Sequence, residues 1–134
     1  MEGEVLIDNE HATLIYHPVE KIVHHVFHKF AYGEPVRELM LRGADLLKEH
    51  SAAKWLSDDR ECGVMTAEDI TWAQSVWEPL AIANGWKYWA IVRPVKAVIR
   101  LSTHEFAERY KMMGLSVELF DEPETAFNWL RDCP

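Results

Sequence analysis

A chain of 134 residues, 49% of them apolar, has the size and composition of one globular domain, and at that length folding buries roughly two-thirds of the unfolded chain's surface. The net charge of −8, with acidic residues dispersed and not blocked together, speaks against nucleic acid or an anionic membrane as a partner. No run of 18 apolar residues is present, and MEGEVLIDNE lacks the basic-then-apolar signature of a signal peptide; no membrane insertion and a cytoplasmic location are expected.

In chain order, Val5-Leu6-Ile7 and Ala12-Thr13-Leu14-Ile15-Tyr16 read as strands separated by the turn signal Asp8-Asn9-Glu10, the second ending at His17-Pro18. A third strand is predicted over 22–30, interrupted by His24, His25 and His28, and short turns let the three pair as an antiparallel meander. Gly33-Glu34-Pro35 then changes the period, because proline suits a first helical turn and an acid is favourable there. Val36, Leu39, Met40, Gly43, Leu46 and Leu47 share one helical face, and the helix is expected to end near His50-Ser51.

The centre of the chain, 52–94, reads as one βαβ unit. Lys54-Trp55-Leu56-Ser57 is a short strand with an acidic exit loop, and Thr66 is an N-cap with Asp69 at capping-box spacing. A Trp-rich helix is predicted to run from there to about Asn84, burying Ala73, Val76, Trp77 and Leu80, with Ile70, Trp72 and Ala83 flanking. Pro79 lies inside it and predicts a kink or a tightened last turn, and Asn84-Gly85 is the stop. Tyr88-Trp89-Ala90-Ile91-Val92 is apolar enough for a strand covered on both faces.

After Pro94, segment 95–101 is compatible with loop, strand or helical turn. Ser102 with Glu105 forms a capping box that predicts a helix over 103–113, closed by Gly114. Val117-Glu118-Leu119-Phe120 alternates as a last strand, and Asp121 with Pro123 opens a short helix packing Ala126, Phe127 and Leu130 inward. The fold class is therefore α/β in the order βββαβαβαβα, a single domain over 1–134 with a mixed sheet of about six strands flanked by about four helices. Any site is expected in the loops at the carboxyl ends of the parallel strands.

On Ala53-Lys54-Trp55-Leu56-Ser57-Asp58, Trp77-Glu78-Pro79-Leu80 before Gly85, Ala90-Ile91-Val92-Arg93-Pro94, Gly114-Leu115 with Phe120, and Ala126-Phe127-Asn128-Trp129-Leu130, nearly the whole chain resembles the SpoIIAA-like family, bacterial relatives of the STAS (anti-sigma-factor antagonist) domain. The resemblance implies a mixed sheet flanked by helices and a non-enzymatic module that binds a protein partner. It further implies a switch by phosphorylation at the start of the helix after the central strand, which falls here at Thr66. Met65-Thr66-Ala67-Glu68 stands where an Asp-Ser-Ser-Gly type sequence is usual, and Glu68 and Asp69 would repel an added phosphate.

No catalytic signature appears, and no cofactor is expected. The histidines invite a metal reading, but on one strand His24 and His28 share a face about 13 Å apart while His25 points the other way. Asp58, Asp59 and Glu61 end the central strand and could hold a cation or do acid–base work; in that loop they more often cap, solvate and balance Arg60. Cys62 and Cys133 form no CxxC and show no metal-ligand spacing, free reduced thiols are expected, and no histidine neighbours Cys62 in sequence to activate it. The six tryptophans are chiefly core fillers, yet a helix bearing Trp72 and Trp77 could offer an edge to a ligand or to a second copy.

Three functions follow. The first is a non-enzymatic regulatory or protein-interaction module, expected as a homodimer, with Thr66 as its switch. The second is a carrier or sensor of a small apolar ligand bound between the helix 67–84 and the sheet, with Trp72, Trp77 and Asp58 as the surface used. The third is a metal-assisted hydrolase using Asp58 or the histidines.

Overall fold

The computed structural model describes residues 3–134. Strands β1 (Glu4–Asp8), β2 (Ala12–His17) and β3 (Ile22–Phe27) form the antiparallel meander, and β4 (Lys54–Asp58), β5 (Tyr88–Val92) and β6 (Ser116–Phe120) continue from β3 in parallel. The six strands stand in sequence order across one mixed sheet. Helix α1 (Glu34–His50) joins β3 to β4, and α4 (Ala97–Met112) joins β5 to β6. Between β4 and β5 runs one continuous helix, 67–83, made of α2 (Ala67–Trp72), a π-helical turn (Ala73–Trp77) and α3 (Glu78–Ala83). Helix α5 (Pro123–Asp132) ends the chain, so the α/β order inferred from the sequence is the observed one. Among the described residues no helix is long and apolar enough to cross a membrane.

Three parallel crossovers of one hand, each stepping one strand in the same direction, place their helices on the same face of the sheet. The core divides accordingly. Leu14, Tyr16, Val23, Trp55, Ile91 and Val117 pack against α1, helix 67–83 and α4, whereas Ile22, Leu56, Ala90 and Val92 pack against Ala126, Phe127 and Leu130 of α5.

Local chemistry explains most boundaries. Asn9 Oδ1 accepts the amides of His11 and Ala12, closing the first turn, and Pro35 sits in the opening turn of α1. Ser51 closes α1 in the left-handed conformation, and Gly85, at φ 108°, takes the chain from helix 67–83 into β5. In α1, a Cβ at Gly43 would run into the Trp55 ring, so glycine here permits the close approach of helix to sheet.

Three expectations need correction. The helix before β6 does not open at Ser102; it opens at Ala97, one turn and more upstream, with Lys96 in the N-cap position and no side-chain cap bond. Burial of Ile99 outweighs the capping box, and Ser102 lies within the helix. The third strand stops at Phe27, so His28 is outside it and bonds Thr13 Oγ1 at 2.7 Å. Finally, the turn before Pro79 is not tightened but widened: the Glu78 amide donates to the Ala73 carbonyl five residues back. Proline has no amide for the Ser75 carbonyl and its ring crowds it, and the Ser75 hydroxyl donates to Thr71 O at 2.7 Å; the extra residue in the turn accommodates both. The buried positions are then Asp69, Ala73, Trp77 and Ala81, a step of four in place of 3.6, with Glu78 buried beside Trp77; Val76 is left 47% exposed and Ala83 in solvent.

On the α5 face, strand parity brings His17 and His24 together: His17 Nε2 lies 3.0 Å from His24 Nδ1, and the His17 ring meets Phe127 edge-on. Both are buried, and among the described residues His24 Nε2 has no hydrogen-bond partner. Burial, reinforced by His17 and His25, pushes the His24 imidazole down to about 3. Above pH 6.5 the folded and unfolded chains both leave it neutral; below that the unfolded chain takes up a proton that the folded chain refuses until near pH 3, so stability falls with pH across this window. Urea denaturation between pH 6.5 and 5, above the ordinary carboxylate range, should show His24→Leu losing up to about 1.4 kcal/mol per pH unit of the wild-type slope; equal slopes would remove His24 from the acid response.

Candidate functional site

A cavity of about 190 Å³ lies between helix 67–83, α1, α4 and the sheet, at the carboxyl ends of β3, β4 and β5. Its position follows from strand parity. Trp55 and Ser57 of β4, His25 and Phe27 of β3, and Trp89 and Ile91 of β5 present their side chains toward it. Ala73 and Trp77 reach it from the widened turn, and Ile99, Phe106 and Tyr110 from α4. The loops after β3 and β4 line the outer end, where Gly63 packs so tightly on Phe30 that a Cβ there would run into the ring.

On the sheet side the polar groups are few and hydrogen-bonded, while Gln74, Ser102 and Thr103 line the cavity from helix 67–83 and α4. Trp55 Nε1–H donates to His25 Nδ1 at 3.0 Å, and His25 Nε2 lies 2.9 Å from Asp59 Oδ1. Since Nδ1 accepts, the pattern puts the ring proton on Nε2, which donates to Asp59. Both imidazole nitrogens are thereby committed, and His25 has no lone pair left for a general base. Ser57 Oγ accepts Trp89 Nε1–H at 2.8 Å. Burial, and then the hydrogen bond to Glu78, raise the Tyr110 hydroxyl well above its ordinary value, and Glu78 itself is clamped by Arg109 at 2.6 and 3.2 Å. Burial, with the Asp59 carboxylate beside it, pushes the Cys62 thiol well up, so it stays protonated and a poor nucleophile.

The residues singled out in the sequence separate on folding. Trp77 lines the cavity and donates its indole N–H to Met40 O at 2.8 Å. Trp72 does not reach it; it lies half-buried at the surface beneath the Arg37 guanidinium, which stands 5.4 Å from the ring centre. Asp58 is buried on the opposite face of the sheet, held by Arg60 Nε and Nη2 at 2.9 and 2.8 Å. Its neighbour Asp59 is the carboxylate at the cavity. Asp69 ties the start of helix 67–83 to the start of α1, accepting the Gly33 amide at 3.0 Å and Arg37 Nε at 3.2 Å. Among the described residues no three His, Cys, Asp or Glu side chains converge as a metal site, and both cysteines are free. Sequence reasoning missed Ser57, Ile99, Phe106 and Tyr110; of these only Ser57 carried a signal, a hydroxyl in an apolar strand on the same parity as Trp55.

Thr66 is the N-cap of helix 67–83: its Oγ1 accepts the Asp69 amide at 3.2 Å. A phosphate there would forfeit that bond and stand beside Glu68 and Asp69. Compared with protein-family models, curated proteins and solved structures, the chain matches none.

Thermal denaturation should register the cap directly. Thr66→Ala is expected to lower stability by about 1 kcal/mol, while Thr66→Asp, which keeps a capping oxygen, should stay within ~0.5 kcal/mol of wild type.

Proposed function

We propose that the protein binds a small apolar molecule in the cavity between helix 67–83 and the sheet, as a carrier or sensor and not as an enzyme. The observation that supports this reading is the cavity itself: about 190 Å³, apolar over most of its wall, with a few fixed polar groups, at the end of the sheet where ligands of α/β folds bind. An enclosed apolar void of roughly 150 Å³ is enough to hold a benzene molecule. The commitment of both His25 nitrogens and the protonated Cys62 thiol favour binding over chemistry. The order of elements and the mixed sheet support kinship with the SpoIIAA-like relatives of the STAS domain, a fold-level analogy that leaves the ligand open.

A second reading, a protein-interaction module that forms a homodimer, draws support from α4. Val98 (77% exposed), Leu101 (64%) and Met112 (89%) recur at helical spacing on its outer side, although Glu105 and Glu108 interrupt the stripe between them. Sedimentation should show a dimer that Leu101→Glu dissociates; a strictly monomeric profile with no partner in a pull-down removes this reading.

For the first reading, native mass spectrometry of the purified protein should show a retained small molecule. Ala73→Leu, which projects a larger side chain into the cavity from the widened turn, should lose that molecule while keeping or gaining stability by ~1 kcal/mol. An unliganded wild-type mass, together with a variant destabilised as if its core were already full, counts against it.

A further inference from the structure

Resting on the proposed ligand reading, two uncommitted polar functions on the cavity wall narrow the ligand class. Asp59 spends Oδ1 on the His25 ring proton, and its Oδ2 accepts no hydrogen bond among the described residues. Ser57, 2% exposed, uses its oxygen to accept from Trp89 and donates its own hydroxyl proton to no described acceptor. Gln74, Ser102 and Thr103 line the cavity from the helices; on the sheet side the wall offers one acceptor and one donor, each held in place by an indole or an imidazole that is itself buried or half-buried. A hydroxyl group, which donates once and accepts, has the matching valence.

Charge restricts the choice further. The Asp59 carboxylate lines the cavity, and the one lysine or arginine on its wall among the described residues, Lys29, lies 3.2 Å from Glu10 Oε2 on the outer surface. The His25 N–H that would otherwise meet an anion already serves Asp59. A carboxylic acid would enter as an anion with no free cation to meet it and a carboxylate in front of it. Six rings, Trp55, Trp77, Trp89, Phe27, Phe106 and Tyr110, stand on the wall beside aliphatic side chains such as Met40, Ile91 and Ile99. Their edges and faces favour an aromatic guest over an aliphatic one of equal area, and the volume fits a single ring with a few added atoms.

We infer that the cavity takes a small uncharged aromatic molecule bearing a hydroxyl, of the phenol class, with Asp59 accepting its proton in a hydrogen bond and Ser57 donating to its oxygen. Calorimetric titration of the full chain with phenol, toluene and benzoate tests this. In a wholly apolar void phenol binds worse than toluene, because its hydroxyl gives up water for nothing. Here phenol should bind at least about tenfold more tightly than either, and Asp59→Ala should bring phenol down to the level of toluene while leaving toluene unchanged. Ser57→Ala, a milder change, should weaken phenol by about three- to tenfold and also spare toluene. Toluene equal to or tighter than phenol, or benzoate equal to phenol, overturns the inference and leaves the apolar-ligand reading standing. Saturable binding of none of the three overturns both. The wild-type series decides even where Asp59→Ala does not fold.

Discussion

The packing of Trp55 holds this structure together. Its side chain, 1% exposed on central strand β4, lies against Gly43 of α1, meets Trp77 of helix 67–83 edge-on at 5.3 Å between ring centres, and touches Trp86 at 6.2 Å. One residue thus joins the sheet to two of the three helices on its main face. Its indole N–H also fixes the ring proton of His25, and His25 in turn orients Asp59. Packing and site chemistry therefore share an anchor, and a change at Trp55 would disturb both.

The chain of rings extends from there through Trp86 to Trp89 and Tyr110, with edge-on or tilted contacts of 5.0 to 5.5 Å. Aromatic rings favour such geometries because their faces are electron-rich and their edges are not. Rigid rings, unlike aliphatic chains, do not collapse into every gap between them. The widened turn of helix 67–83 adds to this: it places small Ala73 opposite the end of the sheet, where a larger residue would close the space. The void at the end of the strands is a consequence of rigid walls and one small residue.

Buried charge binds the helical layer together at two points. Glu78, at the junction of the π turn and α3, is held by Arg109 of α4, and Asp69 receives Arg37 and the Gly33 amide at the start of α1. Charges taken out of water at such places are tolerated only when every partner is present, so they set the relative placement of three helices more than they add to stability. The two loops that line the outer end of the cavity both lead into the Asp69 junction, and Gly63 against Phe30 joins them.

What the sequence determined by itself was the order of elements. Period-2 and period-3.6 apolar patterns are local, and so are the stop signals Pro18, Ser51, Asn84-Gly85 and Gly114, which is why β5 and α5 could be placed nearly to the residue. Local rules failed where a distant surface competed with them: Ile99 pulled α4 past the capping box at Ser102, and Pro79 with Ser75 widened the helix and moved Val76 from the core to solvent. The site was legible in place but not in membership. The carboxyl ends of the parallel strands and the Trp-bearing helix pointed to the right region, yet Asp58 and Trp72 lie outside the cavity and Asp59, Ser57, His25 and Tyr110 line it. Adjacent residues on a strand face opposite sides, so choosing between Asp58 and Asp59 required knowing which side the helices cover. That is a property of crossover direction and strand order, which only the assembled sheet decides.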